Sequence, residues 1–137
     1  MTPEERLQQA RSVFADDRFA ALSGITIETL GHHEACCSLA LDERHLNARG
    51  VAMGGVLFTL ADFCAAIAAN SECLPELHWV SLDSNIHFLA PARGRLTARC
   101  TALKAGRSTA LFQTQIESLD LGKTVAVVET TMICSQS

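Results

Sequence analysis

Residues 54–69 read GGVLFTLADFCAAIAA: two glycines, then a run whose only strongly polar side chains are Thr59 and Asp62. A helix drawn through this run is apolar on nearly every side, so it has to be covered on nearly every side. Asp62 stands against that background. An ionised carboxylate on an apolar helix is costly to bury unless it has a partner or a task. The glycine pair supplies the other half of the reading. Gly54 and Gly55 let a second group approach the backbone where the first N–H groups of a helix have no intrahelical acceptors, and an oxyanion can use those donors.

Upstream of this run, residues 44–51 are polar and turn-prone and deliver the chain to the helix start. Thr2, Pro3 and Glu5 form an N-cap, a first-turn proline and a capping-box partner, with Leu7, Ala10 and Phe14 following at helical spacing. Asp16 or Asp17 recaps a second short helix through Leu22, ended by Gly24, so the N-terminal helical segment spans 1–23. The period then changes. Residues 25–30 and 34–41 are two strand candidates joined by a Gly31-His32 turn, which predicts a hairpin.

Downstream of a central helix over 54–70, Leu74-Pro75 breaks the pattern and 78–89 alternates. Val80, Leu82, Ile86 and Phe88 fall on one face there, with Ser81, Asp83, Asn85 and His87 on the other. Strands over 95–103, 108–119 and 124–133 follow, with turns at 104–107 and 120–122, as in a meander. The order predicts an α+β fold: an antiparallel sheet of about five to six strands wrapped around one long central helix, in a single domain spanning 1–137. A sheet covers one side of that helix, and a second copy of the chain is expected on the other.

With 48% hydrophobic and 19% charged residues in 137, the chain has enough apolar material for a core, which excludes a disordered or fibrous segment. The net charge of −4 argues against general nucleic-acid or anionic-membrane binding. No apolar run approaches the roughly 18 residues of a membrane span, and the first ten residues lack the apolar stretch of a signal peptide. Six cysteines without a C-x-x-C pair read as reduced core residues, and a cytoplasmic location is expected. No histidine has metal-ligand spacing, so none is assigned to a metal, and no other cofactor is expected.

The segment from Leu46 to Asp62 resembles the signature of hotdog-fold thioesterases of the phenylacetate-pathway, or PaaI, group, roughly N-x-x-G-x-x-H-G-G-x-x-x-x-L-A-D. Asn47, Gly50, Gly54, Gly55, Leu60, Ala61 and Asp62 match in register. The resemblance continues through 80–86, the Ala90-Pro91 pair and 104–107. It implies the hotdog fold and hydrolysis of acyl-CoA thioesters. It further implies that the helix-start amide of Gly54 or Gly55 and the Asn47 side chain polarise the thioester carbonyl, while Asp62 acts as nucleophile or general base. Ser81 matches a polar position of some relatives and is a candidate to position the carboxylate or water. Met53 departs from the pattern, standing where the group often has His, so a side-chain donor is lost while the backbone amides remain. A thioether there can pack against the acyl group instead.

Gly55 and Asp62 are seven residues apart, about 10 Å along one helix, too far to act on one carbonyl from the same chain. Two central helices running antiparallel across a two-fold axis bring Asp62 of one copy to Gly54-Gly55 of the other. The resemblance implies the same composite site, in a homodimer or a dimer of dimers. Coenzyme A, as part of the substrate, brings phosphate charges. Between 84 and 116 the chain has no Asp or Glu but five basic residues, of which Arg93, Lys104 and Arg107 are assigned to turns at strand ends and are candidates to bind those phosphates. Phe58, Met53, Phe63 and Phe88 are candidates to shape the acyl pocket.

Each feature has a plainer reading. Asp62 can be a hydrogen-bonded structural carboxylate, Asn47 an Asx-turn residue, Gly54-Gly55 a loop marker, Ser81 a solvent-facing strand residue and the basic cluster a solvated rim. Among whole functions, a hydratase of this fold would pair His with a carboxylate on the central helix, and no His lies between 47 and 77. A non-catalytic acyl-CoA or lipid-binding module is the remaining alternative, kept open by Met53.

Overall fold

A computed structural model describes residues 1–135. Helix α1 (Pro3–Phe14) opens on the Thr2–Glu5 capping box, and α2 (Arg18–Ser23) is capped by Asp17 and ends at Gly24 in the left-handed conformation. The hairpin β1 (Thr26–Gly31) and β2 (Glu34–Ala40) follows, then a short 3-10 turn (Glu43–His45) and the central helix α3 (Gly54–Asn70). The remaining strands are β3 (Trp79–Phe88), β4 (Arg95–Ala105), β5 (Thr109–Ser118) and β6 (Lys123–Cys134). They make one antiparallel six-stranded sheet in the order β1-β2-β4-β5-β6-β3, with β4, β5 and β6 as the expected meander.

The inner face of this sheet curves around α3, which touches all six strands. The approach is close because small residues meet there. Ala61, Cys64, Ala65 and Ala68 of α3 are fully buried, with Cys37, Ala98 and Cys100 fully buried on the sheet, and the Cys64 thiol reaches the Ala35 carbonyl at 3.5 Å. Leu60 and Ile67 are fully buried beside them, worth about 1.5–3 kcal/mol each. Burial pushes the Cys100 thiol up to about 12, so it behaves as a small apolar side chain. All six cysteines are free thiols.

The two sheet edges differ. On β1, α1 packs alongside and the Arg11 guanidinium donates to the Ile27 carbonyl at 2.7 Å, occupying an edge acceptor. β3 pairs on one side only, with β6, and leaves Val80, Leu82 and Phe88 about half exposed.

The alternation expected for β3 is corrected by a bulge. The register with β6 shifts between Ser81 and Asp83, so that Ser81 opposes Met132 while Ser84 opposes Thr130. Leu82 is the extra residue, and one extra residue reverses the parity of everything before it. Ser81 therefore shares the inner face with Ser84, Ile86 and Phe88, rather than the outer face with Asp83, Asn85 and His87. Strand β4 also runs to Ala105, so Lys104 lies in the strand and the turn begins at Gly106.

Candidate functional site

The helix start is built by the segment before it. Asn47 to Gly50 form a turn closed by the Gly50 N–H on the Asn47 carbonyl (2.9 Å), with Gly50 at φ 77°, a value glycine adopts without strain. The Asn47 side-chain oxygen accepts from the Arg49 and Val51 N–H groups at 2.8 and 3.3 Å. That anchors the carboxamide by its oxygen and leaves its NH2 group as the donor. The Met53 N–H bonds the His45 carbonyl (2.8 Å), which sets the angle at which the chain enters α3.

Met53 is the N-cap and contributes no capping side chain. The Gly54 and Gly55 N–H groups find no acceptor among the described residues, while Val56 already bonds back to Met53. Two unbonded donors and the positive end of a 17-residue helix thus lie at the start of α3, where Gly54 shares a pocket with Asn47. The two glycines have different reasons to lack a side chain. A Cβ on Gly54 would meet the Phe88 ring at 3.0 Å, whereas one on Gly55 would meet nothing within 4 Å.

Asn47, Gly54, Phe88 and Arg93 line one pocket of about 580 Å3, together with Arg49, which the sequence reading did not single out. Arg49 lies outside the acid-free stretch that singled out the other basic residues. Arg93 donates to the Gly50 carbonyl at 3.3 Å and so stays beside the helix start. Lys104 and Arg107 are elsewhere. Nine residue steps along β4 separate Arg95 from Lys104, about 30 Å of strand, so Arg93 and the Lys104-Arg107 pair occupy opposite ends of the sheet. Within one protomer the three do not converge on one ligand.

Asp62 is half-buried rather than enclosed, because α3 presents an uncovered stripe of Gly55, Phe58, Thr59, Asp62 and Ala66. These positions recur every three to four residues, which is one face of a helix. The Asp62 carboxylate accepts a 2.9 Å hydrogen bond from the Ser81 hydroxyl, a contact that exists only because of the β3 bulge. Asp62 and Phe58 line a separate depression of about 320 Å3 with Phe19 of α2 and Phe63. The helix start with Gly54 and Asn47 and the Asp62 carboxylate therefore line different pockets of one protomer. Met53 is exposed at 55%, and Phe58, within the stripe, at 39%.

His45 is a structural residue that nothing in the sequence marks. It is buried at 4%, its Nδ1 accepts from the Asp42 N–H (2.9 Å) and its Nε2 lies 2.7 Å from the Ser23 carbonyl. It ties the end of α2 to the turn that carries Asn47.

Residues 49–125 match the family described as the thioesterase superfamily. Among curated proteins, a putative esterase of Haemophilus influenzae is 35% identical over 69% of this chain and 70% of its own. Acyl-coenzyme A thioesterase PaaI of Escherichia coli is 31% identical over 88% of this chain and 84% of its own. The solved structure of the E. coli PaaI protein from the phenylacetic acid degradation operon superimposes with a TM-score of 0.87, covering 98% of this chain and 96% of that one at 27% identity.

Proposed function

This chain belongs to the thioesterase superfamily, a family of thioester hydrolases with the hotdog fold, and from that membership we propose that it cleaves acyl-CoA thioesters to the free acid and coenzyme A. One observation carries the reading: an uncapped helix start with two free glycine N–H groups, where Gly54 shares a pocket with Asn47, matched by a carboxylate on the same helix that faces a different pocket. The site is composite. Two copies related by a two-fold axis, with α3 helices antiparallel, set Asp62 of one against Gly54, Gly55 and Asn47 of the other. The exposed stripe of α3 and the unpaired edge of β3 with Val80 and Leu82 are the surfaces such a dimer covers, and a dimer of dimers is compatible with them. Free cysteines support a reducing, cytoplasmic setting.

The thioester carbonyl rests on the helix-start amides, which stabilise the negative charge that develops on its oxygen by roughly 2.7–4 kcal/mol per donor. Asp62, held by Ser81, either attacks the carbonyl carbon or takes a proton from an attacking water. In both routes a C–O bond replaces the C–S bond. By direct attack the thiolate leaves behind a mixed anhydride that water then opens; by the water route, the proton held on Asp62 passes to the departing sulfur. Arg93 and Arg49 on one side, or Lys104 and Arg107 contributed by another protomer, are the cations available to the coenzyme A phosphates.

A second reading keeps the same binding surface without turnover. Met53 favours it, because a solvent-exposed thioether replaces a hydrogen-bond donor at the helix start. Thiol release from a panel of acyl-CoAs decides. Hydrolysis predicts release that falls by about a thousandfold in Asp62→Asn while acyl-CoA binding persists. Tight binding by the native protein with no release, or undiminished release by the variant, overturns it.

A further inference from the structure

The short helix α2 is built inside out. Its small residue, Ala20, is buried at 3%, while Phe19 and Leu22 stand 63% and 68% exposed. A six-residue helix on a globular protein ordinarily turns its large apolar side chains inward, since burying each is worth about 1.5–3 kcal/mol. Nothing about this helix is loose. Asp17 caps its first turn, Gly24 closes its last, the Arg44 guanidinium donates to the Leu22 carbonyl (3.1 Å) and the His45 ring to that of Ser23 (2.7 Å). The molecule spends four polar contacts on holding an aromatic ring outward.

Phe19 faces the depression that contains Asp62, with Phe58, Phe63 and Ala66 as its other apolar walls. The polar groups there are already engaged. Asp17 accepts from the Ala20 N–H (3.0 Å), the Thr59 hydroxyl donates to the Gly55 carbonyl (2.8 Å), and Asp62 accepts from Ser81 (2.9 Å). An apolar occupant meets a hydroxyl and two carboxylates that each already hold one hydrogen bond, while an occupant carrying its own negative charge meets, among the lining residues of the protomer, two carboxylates and no cation. At about 320 Å3 the depression falls within the range of small-ligand sites.

We infer that α2 is the acyl-selecting wall of the site: Phe19, opposite Phe58, receives an uncharged apolar acyl group, a medium-length chain or an aryl ring, and excludes acyl groups that end in a carboxylate. This rests on the composite thioesterase reading above, which brings the reacting carbonyl to Asp62, and it adds a selecting residue that the hydrolysis itself does not require. Leu22 is outside the depression and serves as an internal control.

The test measures affinity, so that it does not depend on turnover. Non-hydrolysable thioether analogues of octanoyl-, acetyl- and ω-carboxyoctanoyl-CoA are titrated calorimetrically into the full chain, into Phe19→Ala, Phe19→Leu and Leu22→Ala, with the oligomeric state of each followed by light scattering. The native protein is expected to prefer octanoyl over acetyl by about tenfold or more and over the carboxylate-ended analogue by at least as much. Phe19→Ala should collapse the octanoyl preference with the acetyl affinity and the assembly unchanged, Phe19→Leu should restore most of it, and Leu22→Ala should leave it intact. An octanoyl preference that survives in Phe19→Ala, or equal binding of the carboxylate-ended analogue by the native protein, overturns the inference. So does dissociation of Phe19→Ala, which would make the ring an interface residue. Failure of the hydrolysis reading is seen separately, as thiol release that persists in Asp62→Asn.

Discussion

Gly54 and Gly55 look alike in the sequence and do different things. A methyl group on Gly54 meets the Phe88 ring at 3.0 and 3.1 Å, but that ring is 56% exposed and need move only slightly, so Gly54→Ala is expected to change stability by less than about 1 kcal/mol. Gly55→Ala has open space around it in the protomer and should melt at the native temperature or slightly above. If the substrate or a second copy closes on Gly55, that same variant loses activity by about tenfold or more without losing stability. Thermal melts set beside thiol release check both, and full activity in a stable Gly55→Ala protein would remove this glycine from the site. Asn47 shows a similar double use. Its side-chain oxygen makes the Asx-type turn that a plain reading of the sequence expects, and only its nitrogen is left for a ligand.

The helices and the first hairpin were legible from local signals: the Thr2–Glu5 box, Asp17 (one of the two cap candidates), Gly24 and the change of period at Ile25 lie at or within one residue of where the elements begin and end. What local signals do not carry is how elements are latched together. The turn of the β1-β2 hairpin is held to the end of α3 by Glu72, which accepts from the His32 ring at 3.0 Å and from Arg6 of α1 at 2.7 Å. The hydrogen bond from His32 is the main reason the Glu72 carboxyl lies below its ordinary value, with Arg6 adding to it and burial opposing. A carboxyl depressed in the folded state contributes stability above its unfolded value and loses it as pH falls through the folded one. Since Glu72 is 41% exposed, Glu72→Gln should cost less than about 1 kcal/mol at neutral pH. The gap between native and variant melting temperatures should close in acid, below the folded value. A gap that stays constant with pH would mean the ion pairs contribute nothing.

On the composite reading proposed above, a protomer holds Gly54-Gly55 and Asp62 about 10 Å apart along α3 and completes its site only with a second copy, which sets a prediction about assembly. Asn47→Asp keeps the oxygen that anchors the turn and replaces the amide donor with an anion, and Asp62→Asn removes the carboxylate. Each alone should be inactive. Co-expressed in equal amounts, half the dimers are mixed and each has one site with both native groups, so activity should return to about a quarter of the native level. A mixture as inactive as its parents would show that the site is not shared between copies.

Residues 54–70 announce the central helix because composition and period are written along the chain, and the antiparallel sheet follows from strands and turns of the same local kind. The glycine pair, Asn47 and Asp62 were legible for the same reason: their spacing is a property of one continuous segment. Pairing between distant segments governed the rest. One bulge at Leu82 turned Ser81 from the outer face to the carboxylate, β4 carried Lys104 and Arg107 away from Arg93, and latches from Arg44 and His45 held Phe19 outward. Periodicity along a chain says which face a residue shares with its neighbours, but register across a sheet says what that face meets, and register is chosen by contacts between residues far apart in sequence.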